Sequence, residues 1–329
     1  MRRVLINGVG GVLGARVARR LCEDADVTVI GLSRYEPLAP LGRAEWLVAQ
    51  LNGLQLVELL EAEQIDTVIQ IDFAGTEAPV SSREAAIQQN VIGTMDLLGA
   101  CLRAGVQQVV VRSHSWVYGA SPLNPMMIDE RRPVARSGLR GFLRDLAEVE
   151  IFMGEFAEQH PDMRVASLRM APLVGGWSSL IDYFSQPWPR MLIGFDPVIQ
   201  LLSINDAVEA LAHFALNPCS GPYNLAADDA VCISQAIRLC GQLPSPTIES
   251  MIVRSKRDVS RDQPQYWPVD VNFMRHTCVV DTHRAKHEMG WAPQYGAADS
   301  IIATRQNGQA PPDREASEAA LRAFLNRKR

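Results

Sequence analysis

Three glycines, Gly8, Gly11 and Gly14, recur at a spacing that suits a turn cradling phosphate. Gly8 can take a backbone conformation closed to other residues, Gly11 lets a diphosphate touch the main chain, and Gly14 lets a following helix pack tightly. The free N–H groups and positive dipole end of that helix would face the phosphates. A ligand-free strand–helix turn is the blander reading. His114, between Ser113 and Ser115, could move protons because imidazole titrates near neutrality. Asp72 could act as an acid if burial raised its pKa, and Tyr118 offers a hydroxyl. Against these stand a loop histidine filling a small-residue site and a carboxylate capping a loop.

The elements that must position these residues read as an alternation of strands and helices. Val4-Leu5-Ile6 is a buried strand before the glycines, and Ala15 to Leu21 has helical apolar spacing after them. Val27 to Leu32 is a second strand, and the residues at its end would read an adenosine ribose. An acid there favours the unphosphorylated dinucleotide and an arginine the 2′-phosphate. Ser33 and Arg34 stand there, which favours NADP over NAD if a dinucleotide binds. Strands are expected at Trp46–Leu51, Asp66–Ile71, Gln108–Val111 and Arg164–Arg169, with helices at Leu54–Glu63, Arg83–Ala104 and Phe142–His160. This rhythm implies an α/β fold, a Rossmann-type doubly wound parallel sheet of about seven strands. A smaller C-terminal α/β domain should cover the strand ends. The expected boundaries are 1–170 for the dinucleotide domain, 171–310 for the smaller domain, some of whose segments return to the sheet, and 311–329 for a tail helix.

The landmarks resemble the extended short-chain dehydrogenase/reductase superfamily of the NAD(P)-dependent epimerase/dehydratase type. The matching pieces are the glycine turn, Asn90-Val91-Ile92-Gly93-Thr94, Val117-Tyr118-Gly119, Arg169 to Gly175, Ile204-Asn205-Asp206-Ala207 and Met289-Gly290-Trp291-Ala292-Pro293. The resemblance implies chemistry by a Ser or Thr with a Tyr-x-x-x-Lys pair. Here Phe142 takes the tyrosine position, Leu146 the lysine position and His114 the hydroxyl position. Where the family has small residues after the fourth strand, this chain has Asp72 and Phe73, which should crowd the pocket. The resemblance therefore implies a pseudoenzyme that binds, senses or scaffolds. An enzyme with proton transfer rebuilt on His114 or Asp72, and an ordinary reductase or sugar epimerase, stay open beside it. Tyr118 falls where the family uses packing and substrate contact.

Composition narrows the classes further. A net charge of −5 argues against nucleic acid as the main partner. No apolar run is long enough to span a membrane, and Met1-Arg2-Arg3 leads directly into the first strand, so a cytoplasmic protein is expected. The six cysteines form no CxxC pair, so reduced thiols are expected and no metal site. The expected partners are a small-molecule ligand in the inter-domain cleft and a second copy. A homodimer would pair the helices at Arg83–Ala104 and Phe142–His160. Arg140 and Arg144 could grip an anion or simply line a solvated helix face. Trp177 and Trp188 could line the cleft or pack the smaller domain.

Overall fold

A computed structural model describes residues 2–75, 82–175, 179–252 and 270–306. The N-terminal apolar run becomes β1 (Arg2–Asn7), and the glycine turn leads into α1 (Val12–Leu21). There follow β2 (Val27–Ser33), β3 (Glu45–Val48), α2 (Gly53–Ala62) and β4 (Thr67–Gln70). α3 (Arg83–Ile87) passes through a π-turn at Gln88–Ile92 into α4 (Gly93–Arg103). β5 (Gln108–His114), α5 (Gly141–Gln159) and β6 (Arg164–Met170) complete the alternation. Shorter pieces come next: β7 (Leu173–Val174), α6 (Ser179–Ser185), β8 (Arg190–Leu192), β9 (Val198–Ile199) and β10 (Leu202–Ser203). Then come α7 (Ile204–Leu216) and β11 (Gly221–Leu225). The expected tail helix and Trp177 lie outside the described residues.

Seven parallel strands form the sheet in the order β11-β6-β5-β4-β1-β2-β3. The chain builds outward from β1 to β3, then returns to β1's other side with β4. The order therefore reverses between β1 and β4, and the crevice beyond their C-terminal ends is where open α/β sheets take ligands. Asn7 and Gln70 close that junction, with Asn7 Nδ2 donating to Gln70 Oε1 at 2.7 Å. Burial on both faces explains the near-continuous apolar strands. Val4 and Ile6 pack into the layer of α1 and α7, while Leu5, Val68 and Val109 face the layer of α2, α4 and α5. The Arg20 Nε–Glu209 Oε1 contact of 2.7 Å links α1 to α7.

Two elements differ from the sequence reading. The helix expected over Arg83–Ala104 is interrupted by the π-turn, which carries the fully buried Asn90. Asn90 Nδ2 donates to Ala74 O at 3.1 Å and to Asp145 Oδ2 at 3.0 Å, and its Oδ1 accepts from Ala74 N at 2.6 Å. A widened turn is a common device for placing one side chain out of helical phase. The other difference is Trp188, which is 66% exposed and so does not pack into the core of the smaller region.

Candidate functional site

The glycine turn closes as its residue types demand. Gly8 has φ +115°, and a Cβ there would stand 2.8 Å from Asp72 N. A Cβ on Gly14 would stand 2.0 Å from Gly8 O, so only glycine lets α1 approach the turn this closely. Gly11 is the N-cap of α1 and supplies no capping side chain, and the first turn carries no acidic residue. That leaves a helix N-terminus suited to an anion. Gly10, which its local sequence does not distinguish, is fixed by a distant partner: a Cβ there would stand 2.2 Å from Ser33 Oγ.

Ser33 and Arg34 flank this turn from the end of β2, but both are engaged. Ser33 Oγ accepts the Tyr35 N–H at 3.2 Å. Arg34 Nη2 donates to Asp72 Oδ1 at 3.2 Å, and the same oxygen accepts from Gln89 Nε2 at 3.0 Å. Asp72 is therefore the counter-ion of Arg34. The pairing joins residues from the ends of β2 and β4 with one from the π-turn. The glycines, Ser33, Arg34 and Asp72 thus gather around one crevice.

The other end of the crevice is apolar. Phe142 meets Phe73 edge-on, ring centroids 6.5 Å apart, and Phe73 is 4% exposed. Leu146 is buried within the layer beneath α5. Arg144 pairs with Glu148 along the exposed face of α5, the solvated-face reading of this residue. Asp145, beside Leu146, is fully buried and takes Arg83 Nη1 at 2.7 Å on Oδ2, the oxygen that also accepts from Asn90.

His114 ends β5 and caps the following turn, its Nδ1 accepting the Trp116 N–H at 3.0 Å. The neutral ring then carries its proton on Nε2, and its acceptor nitrogen is occupied. Burial, helped by the Arg112 charge, pushes the imidazole down to about 3. Among the described residues no hydrogen bond joins His114 to Asp72. A histidine whose folded pKa lies below its unfolded value favours the folded state above the unfolded pKa, about 6.5. That contribution falls away as pH drops from there toward 3. Imidazole NMR should accordingly show His114 neutral at about pH 5, well below its unperturbed pKa. A ring titrating near its free value would contradict this environment.

Tyr118 lies in a buried polar cluster that the sequence reading did not assemble. Arg169 Nη1 donates to Tyr118 Oη at 2.6 Å, and Tyr118 donates to Asn224 Oδ1 at 2.9 Å. Burial, outweighing the Arg169 charge, pushes the phenol up to about 12. Arg169 also holds Glu150, with Nη2 to Oε2 at 2.7 Å, and Ser167 Oγ donates to Glu150 Oε1 at 2.7 Å. The available signal was a charge at apolar phase in β6 and another in α5, which must find each other when both are buried. A separate cavity of about 240 Å³, lined by Arg2, Asp66, Thr67, Gln108 and Arg164 among others, opens at the strands' N-terminal ends. It lies at the opposite end of the sheet and takes no part in this site.

Comparison with known proteins agrees with this geometry. A model of the NAD dependent epimerase/dehydratase family matches residues 4–226. The chain belongs to this family. An uncharacterized protein of Mycobacterium tuberculosis is 30% identical over 315 residues, spanning 91% of this chain and 82% of that one. UDP-glucuronic acid decarboxylase 5 of Arabidopsis thaliana is 23% identical over 312 residues, spanning 89% and 85%. Among solved structures, MoeE5 in complex with UDP-glucuronic acid and NAD superposes with TM-score 0.71 at 20% identity, over 93% of this chain and 100% of that one. UDP-glucose 4-epimerase of Thermotoga maritima with UDP-glucose gives 0.70 at 15%, over 92% and 97%. At these identities the structural matches establish the fold.

The two halves of the crevice differ in character. The glycine turn and α1 fit a diphosphate. The other half is bounded by Phe142 against the buried Phe73, with Leu146 buried behind them and no lysine there among the described residues. Among the described residues no group of three or more His, Cys, Asp or Glu could hold a metal ion. No described helix is long and apolar enough to cross a membrane.

Proposed function

We propose that this protein binds a nicotinamide dinucleotide through the Gly8–Gly14 turn and works as a binding or sensing member of its family, without hydride exchange. The replacement of the Tyr-x-x-x-Lys pair by Phe142, edge-on to Phe73, and the buried Leu146 carries this reading. A bound nicotinamide would supply a hydride acceptor. Beside it this chain places no exchangeable proton at Phe142 and no charge at Leu146 to grip the ribose. Gly8, Gly11 and Gly14 would hold the diphosphate, and a small ligand would share the cleft; among solved structures of this fold one carries UDP-glucose and another UDP-glucuronic acid with NAD.

The test is a titration of the purified protein with NAD(H) and NADP(H). Saturable binding is expected with at least one pair, stabilising the fold by about 2.7 kcal/mol at a hundredfold excess over Kd. No binding and no thermal shift at millimolar dinucleotide would sink the proposal and leave the turn as architecture alone.

A further inference from the structure

We infer that Asp72 sets which dinucleotide this cleft takes, by holding Arg34 away from the adenosine 2′-phosphate; this rests on the reading that a dinucleotide binds at all. Arg34 stands where a 2′-phosphate would be met, and on sequence grounds it favours NADP. In the fold its guanidinium is committed. Nη2 lies 3.2 Å from Asp72 Oδ1, and that oxygen is fixed from its other side by Gln89 Nε2 at 3.0 Å. The two side chains are about a quarter exposed, at 27% and 25%, so solvent screens the pair only in part. The guanidinium lies 5.5 Å from the Tyr35 ring centroid, and its buried Nε has no hydrogen-bond partner among the described residues. One donor of the fork is therefore idle while another is held by a carboxylate.

The backbone makes this arrangement stiff. The close approach of Asp72 N to Gly8 roots the carboxylate beside the turn that receives the diphosphate. Gln89 sits on the π-turn, whose next residue, Asn90, is anchored by Ala74 and Asp145. Asp72 thus has little freedom to swing aside. A 2′-phosphate brings about −1.5 to −2 charges. It would meet a guanidinium already neutralised, with a carboxylate behind it. NAD lacks that group and needs nothing from Arg34. The cleft accordingly takes NAD at least as well as NADP, and the arginine's preference is masked by its own partner.

Four proteins test this by calorimetric titration with NAD⁺ and NADP⁺: the unmodified chain, Asp72→Asn, Arg34→Ala and the double variant. Asparagine keeps the size and the acceptor that Gln89 uses, and removes only the charge. The unmodified chain should bind NADP⁺ no tighter than NAD⁺. Asp72→Asn should shift the ratio toward NADP⁺ about tenfold, with a steeper loss at high salt. Arg34→Ala should move the ratio less than about threefold alone, and remove the whole gain in the Asp72→Asn background. If Asp72→Asn tightens both dinucleotides equally, the carboxylate merely repels the shared diphosphate and the inference is overturned. It is also overturned if Arg34→Ala alone costs NADP⁺ tenfold, because the arginine was then already free. Failure of all four proteins to bind either dinucleotide overturns the functional reading and this inference with it. Binding with an unmoved ratio overturns this inference alone.

Discussion

Arg169→Met should destabilise the fold by about 3–5 kcal/mol, the usual cost of removing one partner from a buried ion pair. Arg169 and Glu150 side chains are 7% and 4% exposed. Burial works to raise the Glu150 carboxyl, and the Arg169 charge and hydrogen bonds more than offset it, holding the group below the usual carboxylate range. With the folded pKa depressed, the pair's contribution is present above the unfolded pKa and is lost as pH falls through the folded one. In the variant the sign reverses. Glu150 keeps its burial and loses its cation, so its folded pKa rises above the unfolded value. The charged form is then penalised at neutral pH and the penalty relaxes in acid. Urea denaturation should show a larger loss near neutral pH than at about pH 5. Glu150→Gln added to Arg169→Met should recover part of the loss, because no uncompensated charge remains. A loss under about 1 kcal/mol at neutral pH, the scale of an exposed pair, would show that Glu150 does not depend on Arg169.

The same pair shows what the sequence can and cannot reveal. The turn at Gly8, Gly11 and Gly14 is legible because its causes are local: a strand before it, a helix after it, and a fixed spacing. The parallel sheet is legible for a similar reason, since β-branched runs alternate with amphipathic segments. What escapes is every feature whose cause lies far along the chain. Gly10 is needed because Ser33 Oγ occupies the space of its Cβ. The π-turn at Gln88–Ile92 lies within a segment whose apolar spacing reads as continuous helix, and it places Asn90 against Ala74 and Asp145. Arg34 reads as a phosphate ligand, and its partner Asp72 appears only once the strand order brings the end of β4 near the end of β2. That a segment after residue 170 returns to the sheet is expected, but its identity and place, β11 beside β6 with Gly221 opposite Ala166, are announced by no local pattern. His114 and Tyr118 look reactive by type, and the partners that engage the His114 acceptor nitrogen and the Tyr118 hydroxyl are not visible in the sequence.

A nicotinamide absorbance assay with carbonyl and nucleotide-sugar substrates is expected to stay flat, at least about ten-thousandfold below a member that keeps Tyr-x-x-x-Lys. General acid–base catalysis alone supplies about 10²–10⁴-fold, and groups that act as one unit fail together. Each side chain that could replace the missing acid has a polar group committed elsewhere, and burial keeps the His114 ring neutral. The His114 acceptor nitrogen holds the Trp116 N–H, Tyr118 bridges Arg169 and Asn224, and Asp72 is paired with Arg34. Restoring the family residues should not restore the chemistry. In Leu146→Lys the ammonium would enter a site now 1% exposed, where desolvation favours its neutral form. In Phe142→Tyr the ring would still meet Phe73 edge-on, which keeps the new phenol in an apolar setting. The double variant is thus expected to lose stability and gain no turnover. Robust turnover by the unmodified protein, abolished by His114→Ala, would overturn the non-catalytic reading and make the Nε2 proton of His114 the acid.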